Sequence, residues 1–107
     1  MGFSDMLKSL LGIVDINKEV LNAPPGSIIL DVRERDEYAG GHILGSVNLP
    51  LSEIDKAERV LSDKSAHILI YCLSGARSGR AEAALKAMGY ADVKSIGGIS
   101  AYKGRLE

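Results

Sequence analysis

The sequence predicts an α/β domain built on a mostly parallel sheet. Two short apolar runs, over residues 28–32 and 67–71, are rich in β-branched side chains and are typical of strands buried on both faces. Helical patterns separate and follow these runs, and the clearest covers residues 78–88. Because strands alternate with helices, we expect a central parallel sheet with helices on both of its faces.

Five strands are expected in this sheet. The second follows a Pro-Pro-Gly breaker and ends in charged residues, and the fourth runs directly into a glycine-containing loop. The other three are weaker candidates, since each is short and only partly apolar. The predicted strands cover residues 12–16, 28–32, 46–49, 67–71 and 93–96.

Five helical segments accompany the strands. In the clearest one, apolar residues recur at the i, i+3, i+4, i+7 spacing of a single buried face, and Gly89 provides a stop. Ser52 is a candidate N-cap, followed by acidic residues that suit the first turn of a helix. The predicted helices cover residues 17–22, 35–40, 52–61, 78–88 and 99–105.

The composition is that of an ordinary soluble domain. Of 107 residues, 46% are hydrophobic and 25% charged, and the net charge of −1 gives no indication of a nucleic-acid partner. No apolar run approaches the length of a membrane span. A single cysteine excludes an internal disulfide and a zinc site built on several cysteines. We therefore expect one domain over residues 1–107, cytoplasmic and monomeric, with no metal and no cofactor.

The loop after the fourth strand carries the clearest chemistry. It begins at Cys72 and opens the clearest helix, at the carboxyl end of a strand, where open α/β sheets bind ligands. A helix N-terminus, loop N–H groups, Arg77 and Arg80 would all stabilise an anion. Gly75 and Gly79 would let the backbone fold tightly around the sulfur. The pattern thus predicts a thiol of lowered pKa that is nucleophilic at neutral pH.

These residues alone leave a second interpretation open. A lone cysteine at the end of a strand is often a small buried hydrophobic side chain with no reactivity. The position, the glycines and the arginines favour a nucleophile, but they do not decide the question without further sequence information.

Four segments in order resemble the rhodanese homology domain in its small single-domain form. They are the Asp-Val-Arg-Glu run at residues 31–34, Gly-His-Ile at 41–43, Cys-x-x-Gly-x-Arg at 72–77 and Gly-Gly at 97–98. Together they span most of the chain. One departure is Tyr102, which stands where the family usually has tryptophan.

This resemblance implies a role for each matching residue. Cys72 would accept a sulfane sulfur, and Arg77 would help to bind an anionic donor. Asp31 and Arg33 would hold the loop and the strand ends together, acting through Glu37. The persulfide would be cradled by the N–H groups of Leu73, Ser74, Gly75, Ala76, Arg77 and Ser78.

The implied activity is a thiosulfate sulfurtransferase that passes sulfur to cyanide or a thiol through a Cys72 persulfide. A carrier that hands persulfide to a protein partner is an alternative. A phosphatase or arsenate reductase is a further one, although tyrosine phosphatases use a Cys-x5-Arg loop. In this chain only four residues separate Cys72 from Arg77, and Ser78 stands at the position of that arginine. The shorter loop favours sulfur over a tetrahedral oxyanion.

Overall fold

The computed structural model of the protein describes residues 14–107, and these residues form a four-stranded parallel sheet. The strands are β1 Ile28–Asp31, β2 Val47–Asn48, β3 His67–Cys72 and β4 Asp92–Gly98. Their order across the sheet is β2-β1-β3-β4, and every pair is parallel. The sheet therefore places the ends of β1 and β3 side by side.

In the part of the chain that the structure describes, four α-helices and two 3₁₀ helices surround the sheet. The α-helices are α1 Ile16–Leu21, α2 Arg35–Ala39, α3 Ala57–Val60 and α4 Ala76–Ala87. The 3₁₀ helices are Leu51–Lys56 and Ile99–Ala101. The helix predicted over residues 52–61 thus begins as a 3₁₀ helix, without a side-chain cap from Ser52. The one predicted over residues 99–105 ends after a single turn.

The expected strand count of five is wrong for the described residues, which contain four. The missing strand is the one predicted over residues 12–16, of which the first two lie outside the described residues. Asp15 caps α1 through its side chain, which accepts a hydrogen bond from the backbone N–H of Asn17, and Ile16 is already helical. An Asp N-cap competes with strand structure because it satisfies an exposed donor at the start of a helix.

Helices cover both faces of the sheet, as the sequence predicted. On one face, Leu30 and Ile70 pack with Ala81 and Leu85 of α4 in the larger apolar cluster. On the other, the smaller cluster comprises Ile16, Ile43, Leu69, Tyr71 and Ile96. Successive strand residues therefore alternate between the two clusters, which is the two-residue period of a strand.

The sheet ends in an irregularity beside the cysteine loop. Between β3 and β4 the register shifts, so that Ile70 pairs with Ser95 whereas Tyr71 pairs with Gly97. The extra residue in β4 is a bulge, a feature that bends a strand at its end. Among residues 14–107, no helix is long and apolar enough to cross a membrane.

Candidate active site at the carboxyl end of β3

Cys72 is the last residue of β3, and three residues separate it from Ala76, the first residue of α4. The residue is only 1% exposed and belongs to the larger apolar cluster. The backbone N–H of Gly75 donates a hydrogen bond to its Sγ over 3.0 Å. The hydroxyl oxygen of Ser78 lies 3.7 Å from the same sulfur. The sulfur is therefore enclosed by the loop that follows it.

The surroundings lower the pKa of the Cys72 thiol overall. Burial acts first and raises the pKa, because it removes water from the thiolate. Hydrogen bonds from the backbone and hydroxyl of Ser78 and from the backbone of Gly75 and Ser74 favour the thiolate and outweigh burial. The loop thus provides convergent donors for a negative charge on sulfur, which is the condition for a reactive cysteine.

Two glycines allow the loop to close over the sulfur. Gly75 has a φ of 112° at the start of α4, a conformation that side chains disfavour. Gly98, at the end of β4, lies directly against the loop backbone. A Cβ at Gly98 would lie 2.6 Å from both the carbonyl carbon of Leu73 and the Cα of Ser74. The Ser100 N–H also donates to the Leu73 carbonyl oxygen over 3.2 Å, so β4 and its following turn hold the loop.

Arg77 is oriented by Glu37 of α2. Its two terminal nitrogens donate to the two carboxylate oxygens over 2.7 and 3.1 Å. The hydrogen bond from Arg77, followed by one from the backbone of Glu34, lowers the pKa of Glu37 to about 2. A bidentate pair fixes the plane of the guanidinium. The Arg77 side chain therefore lies beside the loop, and Glu37 of α2 fixes its orientation.

Replacing Glu37 with glutamine is expected to lower the free energy of unfolding by about 1 kcal/mol at neutral pH, after allowance for solvent screening. Because folding lowers the pKa of Glu37 from 4.5 to about 2, its ion pair contributes fully to stability when the pH is above the pKa of the unfolded state. That contribution is lost as the pH falls from 4.5 towards about 2. The stability difference between wild type and Glu37→Gln should thus shrink to nothing across this window in urea titrations.

Glu82→Gln is the matched control, since Glu82 pairs with Lys86 one turn along an exposed face of α4. It should change stability little at any pH. If the two variants had the same pH profile, Glu37 would not be a specific partner of Arg77.

Asp31 and Arg33 form a buried ion pair on the opposite face of the sheet. The Arg33 guanidinium donates to Asp31 over 2.7 Å and to the carbonyl oxygen of Gly41, also over 2.7 Å. It also lies over the Tyr71 ring, 5.7 Å from the centroid. These contacts brace the end of β1 and the segment before β2. None of them reaches the Cys72 loop, although the charge of Arg33 contributes to the lowered pKa of Glu37.

The remaining predicted residues lie around the loop in different ways. The side chains of Leu73, Ser74 and Ala76 are exposed on its rim, and Arg80 is exposed with no hydrogen bond or ion pair to the described residues. Gly79, grouped with Gly75 in the sequence, lies inside α4 with open space around it and does not shape the loop.

Two contributors were missed. The contact of Gly98 with the loop and the hydroxyl of Ser95, 2.7 Å from that of Ser78, have no local sequence signal. A glycine pair after a strand hints at close backbone approach, but it does not identify the partner. Within residues 14–107, no group of three or more His, Cys, Asp or Glu side chains is placed to hold a metal ion.

The chain matches known proteins over most of its length. The family model of the Rhodanese-like domain matches residues 13–105. Thiosulfate sulfurtransferase PspE of Escherichia coli is 35% identical over 71 residues, which cover 65% of this chain and 68% of that protein. YrkF of Bacillus subtilis, which carries the name of a sulfur carrier protein, is 35% identical over 91 residues. That match covers 84% of this chain and 49% of YrkF, so the chain spans about half to two thirds of these curated relatives.

Solved structures show the same arrangement of sheet and helices. A structure described as rhodanese with anions from E. coli superposes with a TM-score of 0.70 at 30% sequence identity. The superposition covers 76% of this chain and 96% of that one. The α/β fold of this chain is therefore shared with solved structures.

Proposed function

This chain belongs to the rhodanese-like domain family, and on that basis we propose that it is a sulfurtransferase that carries a sulfane sulfur on Cys72. The observation that carries the proposal is the convergence of the Gly75 N–H and the Ser78 hydroxyl on Cys72 Sγ, at 3.0 and 3.7 Å. These donors stabilise a thiolate in a buried setting. A thiolate is both the nucleophile that takes sulfur and the leaving group that gives it up.

In the first half of the reaction, the Cys72 thiolate attacks the outer sulfur of thiosulfate. A new sulfur–sulfur bond forms, the bond within thiosulfate breaks, and sulfite leaves with the bonding electron pair. No oxidant is needed, because one sulfane sulfur atom passes from sulfite to the Cys72 thiolate without a net change of oxidation state. Arg77, whose guanidinium is held by Glu37, lies beside the loop where it would attract the anionic donor. The loop N–H groups would stabilise charge on the transferred sulfur.

In the second half, a thiophilic acceptor attacks the outer sulfur of the Cys72 persulfide. With cyanide the product is thiocyanate, and with a thiol it is a new persulfide on the acceptor. Cys72 leaves as a thiolate, which the donors from Gly75 and Ser78 stabilise again. The same contacts would therefore raise the fraction of Cys72 that is thiolate in the first half and stabilise the leaving group in the second.

Steady-state kinetics with thiosulfate and cyanide test this proposal. Because a covalent intermediate separates the two halves, double-reciprocal plots at several cyanide concentrations should be parallel, the pattern of ping-pong kinetics. Intersecting lines would show that donor and acceptor bind together, and the persulfide mechanism would then be rejected.

A carrier role is the second candidate, favoured by the similarity to YrkF over 84% of this chain. The exposed Leu73 and Ala76 on the rim of the loop are compatible with contact to a protein acceptor. The two roles differ in rate rather than in chemistry. Fast transfer to a protein thiol together with slow thiocyanate formation would identify a carrier, and the opposite ratio would identify an enzyme with a small acceptor.

The phosphatase alternative gains no support from the loop. Ser78, at the position of the phosphatase arginine, is fully buried and turned towards Ser95, so it offers no charge to an oxyanion. Hydrolysis of an aryl phosphate that was lost in Cys72→Ser would restore this alternative.

A further inference from the structure

Ser95 is a polar residue at a position that the strand pattern assigns to the apolar core. It follows Val93 by two places in β4, and Val93 packs in the larger apolar cluster with α4. Residues two apart in a strand face the same side, so Ser95 faces α4 as well. Its hydroxyl makes one hydrogen bond with the described residues, to the Ser78 hydroxyl over 2.7 Å. A half-buried hydroxyl with this one partner points to a role that involves Ser78.

Ser78 has more neighbours than one hydroxyl can serve at once. Its oxygen lies 3.0 Å from the Gly75 carbonyl oxygen, 3.4 Å from that of Gly97 and 3.7 Å from Cys72 Sγ. A hydroxyl has a single proton and two lone pairs. Its proton can therefore go to a backbone carbonyl, to the sulfur or to the Ser95 hydroxyl. When Ser95 is the donor in their shared hydrogen bond, only the carbonyl and the sulfur remain as acceptors.

The balance of protons shows how the bias works. When Cys72 is a thiol, its S–H donates to Ser78, and the Ser78 proton is free to point to the Gly75 carbonyl. When Cys72 is a thiolate, the Ser78 proton turns to the sulfur, and the lone pair left on Ser78 accepts the proton of Ser95. Ser95 then completes a chain of two hydroxyls that ends on the sulfur, and each link polarises the next.

We propose that Ser95 is a positioning residue whose hydroxyl orients that of Ser78 towards Cys72, so that the thiolate is stabilised as nucleophile and as leaving group. This inference rests on the proposed sulfur transfer for its purpose, but its geometry is independent of the sulfur donor. The charged groups at this corner are Arg77 and its partner Glu37. The side chains that β1, the residue after it and the first 3₁₀ helix present to the same cluster are apolar, namely Ile28, Leu30, Val32, Leu51 and Ile54.

The test is the pH dependence of Cys72 alkylation by iodoacetamide in the whole chain. Ser95→Ala should raise the midpoint of the profile by about 0.5–1 pH unit, the shift expected when a thiolate loses support from one hydrogen bond. Ser95→Thr keeps the hydroxyl and should retain the wild-type midpoint, whereas Ser95→Val, of nearly the same shape, should behave as alanine does. Ser46→Ala is the matched control, since Ser46 is a buried serine bonded to the Tyr71 hydroxyl over 3.0 Å. It should leave the midpoint unchanged.

A double-mutant cycle separates positioning from a general structural role. In a Ser78→Ala background, Ser95→Ala should produce no further shift, because Ser95 acts only through Ser78. An unchanged midpoint in Ser95→Ala and Ser95→Val, or a shift that persists in the Ser78→Ala background, would overturn the inference. Alkylation needs no sulfur donor, so this test is independent of the proposed sulfur transfer. If the alkylation midpoints shift as predicted but the protein takes no sulfur from thiosulfate, the proposed function fails and the role of Ser95 stands.

Discussion

Replacing Cys72 with serine is expected to reduce thiocyanate formation by on the order of 10³-fold or more, because the nucleophile is removed. A serine hydroxyl is not ionised at neutral pH, and no other cysteine exists in the sequence to replace the thiol. The substitution is nearly isosteric, so the Gly75 N–H can donate to oxygen instead of sulfur. The measurement is the rate of thiocyanate release from thiosulfate and cyanide.

A loss of activity in Cys72→Ser is informative only if the variant is folded, so its stability must be measured as well. Because Cys72 lies in the apolar cluster at the end of β3, its replacement by a hydroxyl should cost no more than about 1–2 kcal/mol of stability. Circular dichroism and a urea titration should therefore show a cooperatively folded protein. Turnover within a few fold of wild type in that protein would remove Cys72 from the chemistry.

The second large effect is expected from Gly98→Ala. The added Cβ would lie 2.6 Å from the Leu73 carbonyl carbon and from the Ser74 Cα, and backbone atoms cannot yield as a flexible side chain does. The loop must therefore move away from β4 and carry its N–H groups away from the sulfur. A displacement of about 1 Å at a reacting group is enough for roughly a 10²-fold loss in kcat/KM.

Gly79→Ala is the matched glycine control. Gly79 lies inside α4, and a Cβ there meets nothing within 4 Å. The variant should gain about 0.5–1 kcal/mol of stability, since alanine favours a helix over glycine, with kcat/KM unchanged. If Gly98→Ala retained the kcat/KM of Gly79→Ala, the contact between β4 and the loop would have no part in the site.

The fold was predictable where local patterns are strong. The apolar face of α4 has a clear helical period and β3 is a continuous apolar run, and the structure contains both close to the predicted positions. The expected fifth strand was wrong because the pattern of apolar residues does not show that Asp15 caps α1, so that the helix begins at Ile16. The segment after β2 became a 3₁₀ helix following Pro50, a detail of backbone geometry that a pattern of acidic residues does not reveal.

For the candidate site, the sequence indicated the loop but not what holds it. The spacing from Cys72 to Arg77 is local and can be read directly. The partners of the loop come from distant segments: Glu37 lies 40 residues before Arg77, and the Ser95 hydroxyl is 17 residues beyond Ser78. The first contact depends on the parallel pairing of β1 with β3 and the second on that of β3 with β4, and a single sequence does not specify either register.

The most direct test of a persulfide on Cys72 is the intact mass of the protein before and after thiosulfate. We predict a gain of one sulfur atom, its loss on addition of cyanide, and no gain in Cys72→Ser. An unchanged mass after thiosulfate, in a protein whose Cys72 is still alkylated by iodoacetamide, would contradict the proposed sulfur transfer.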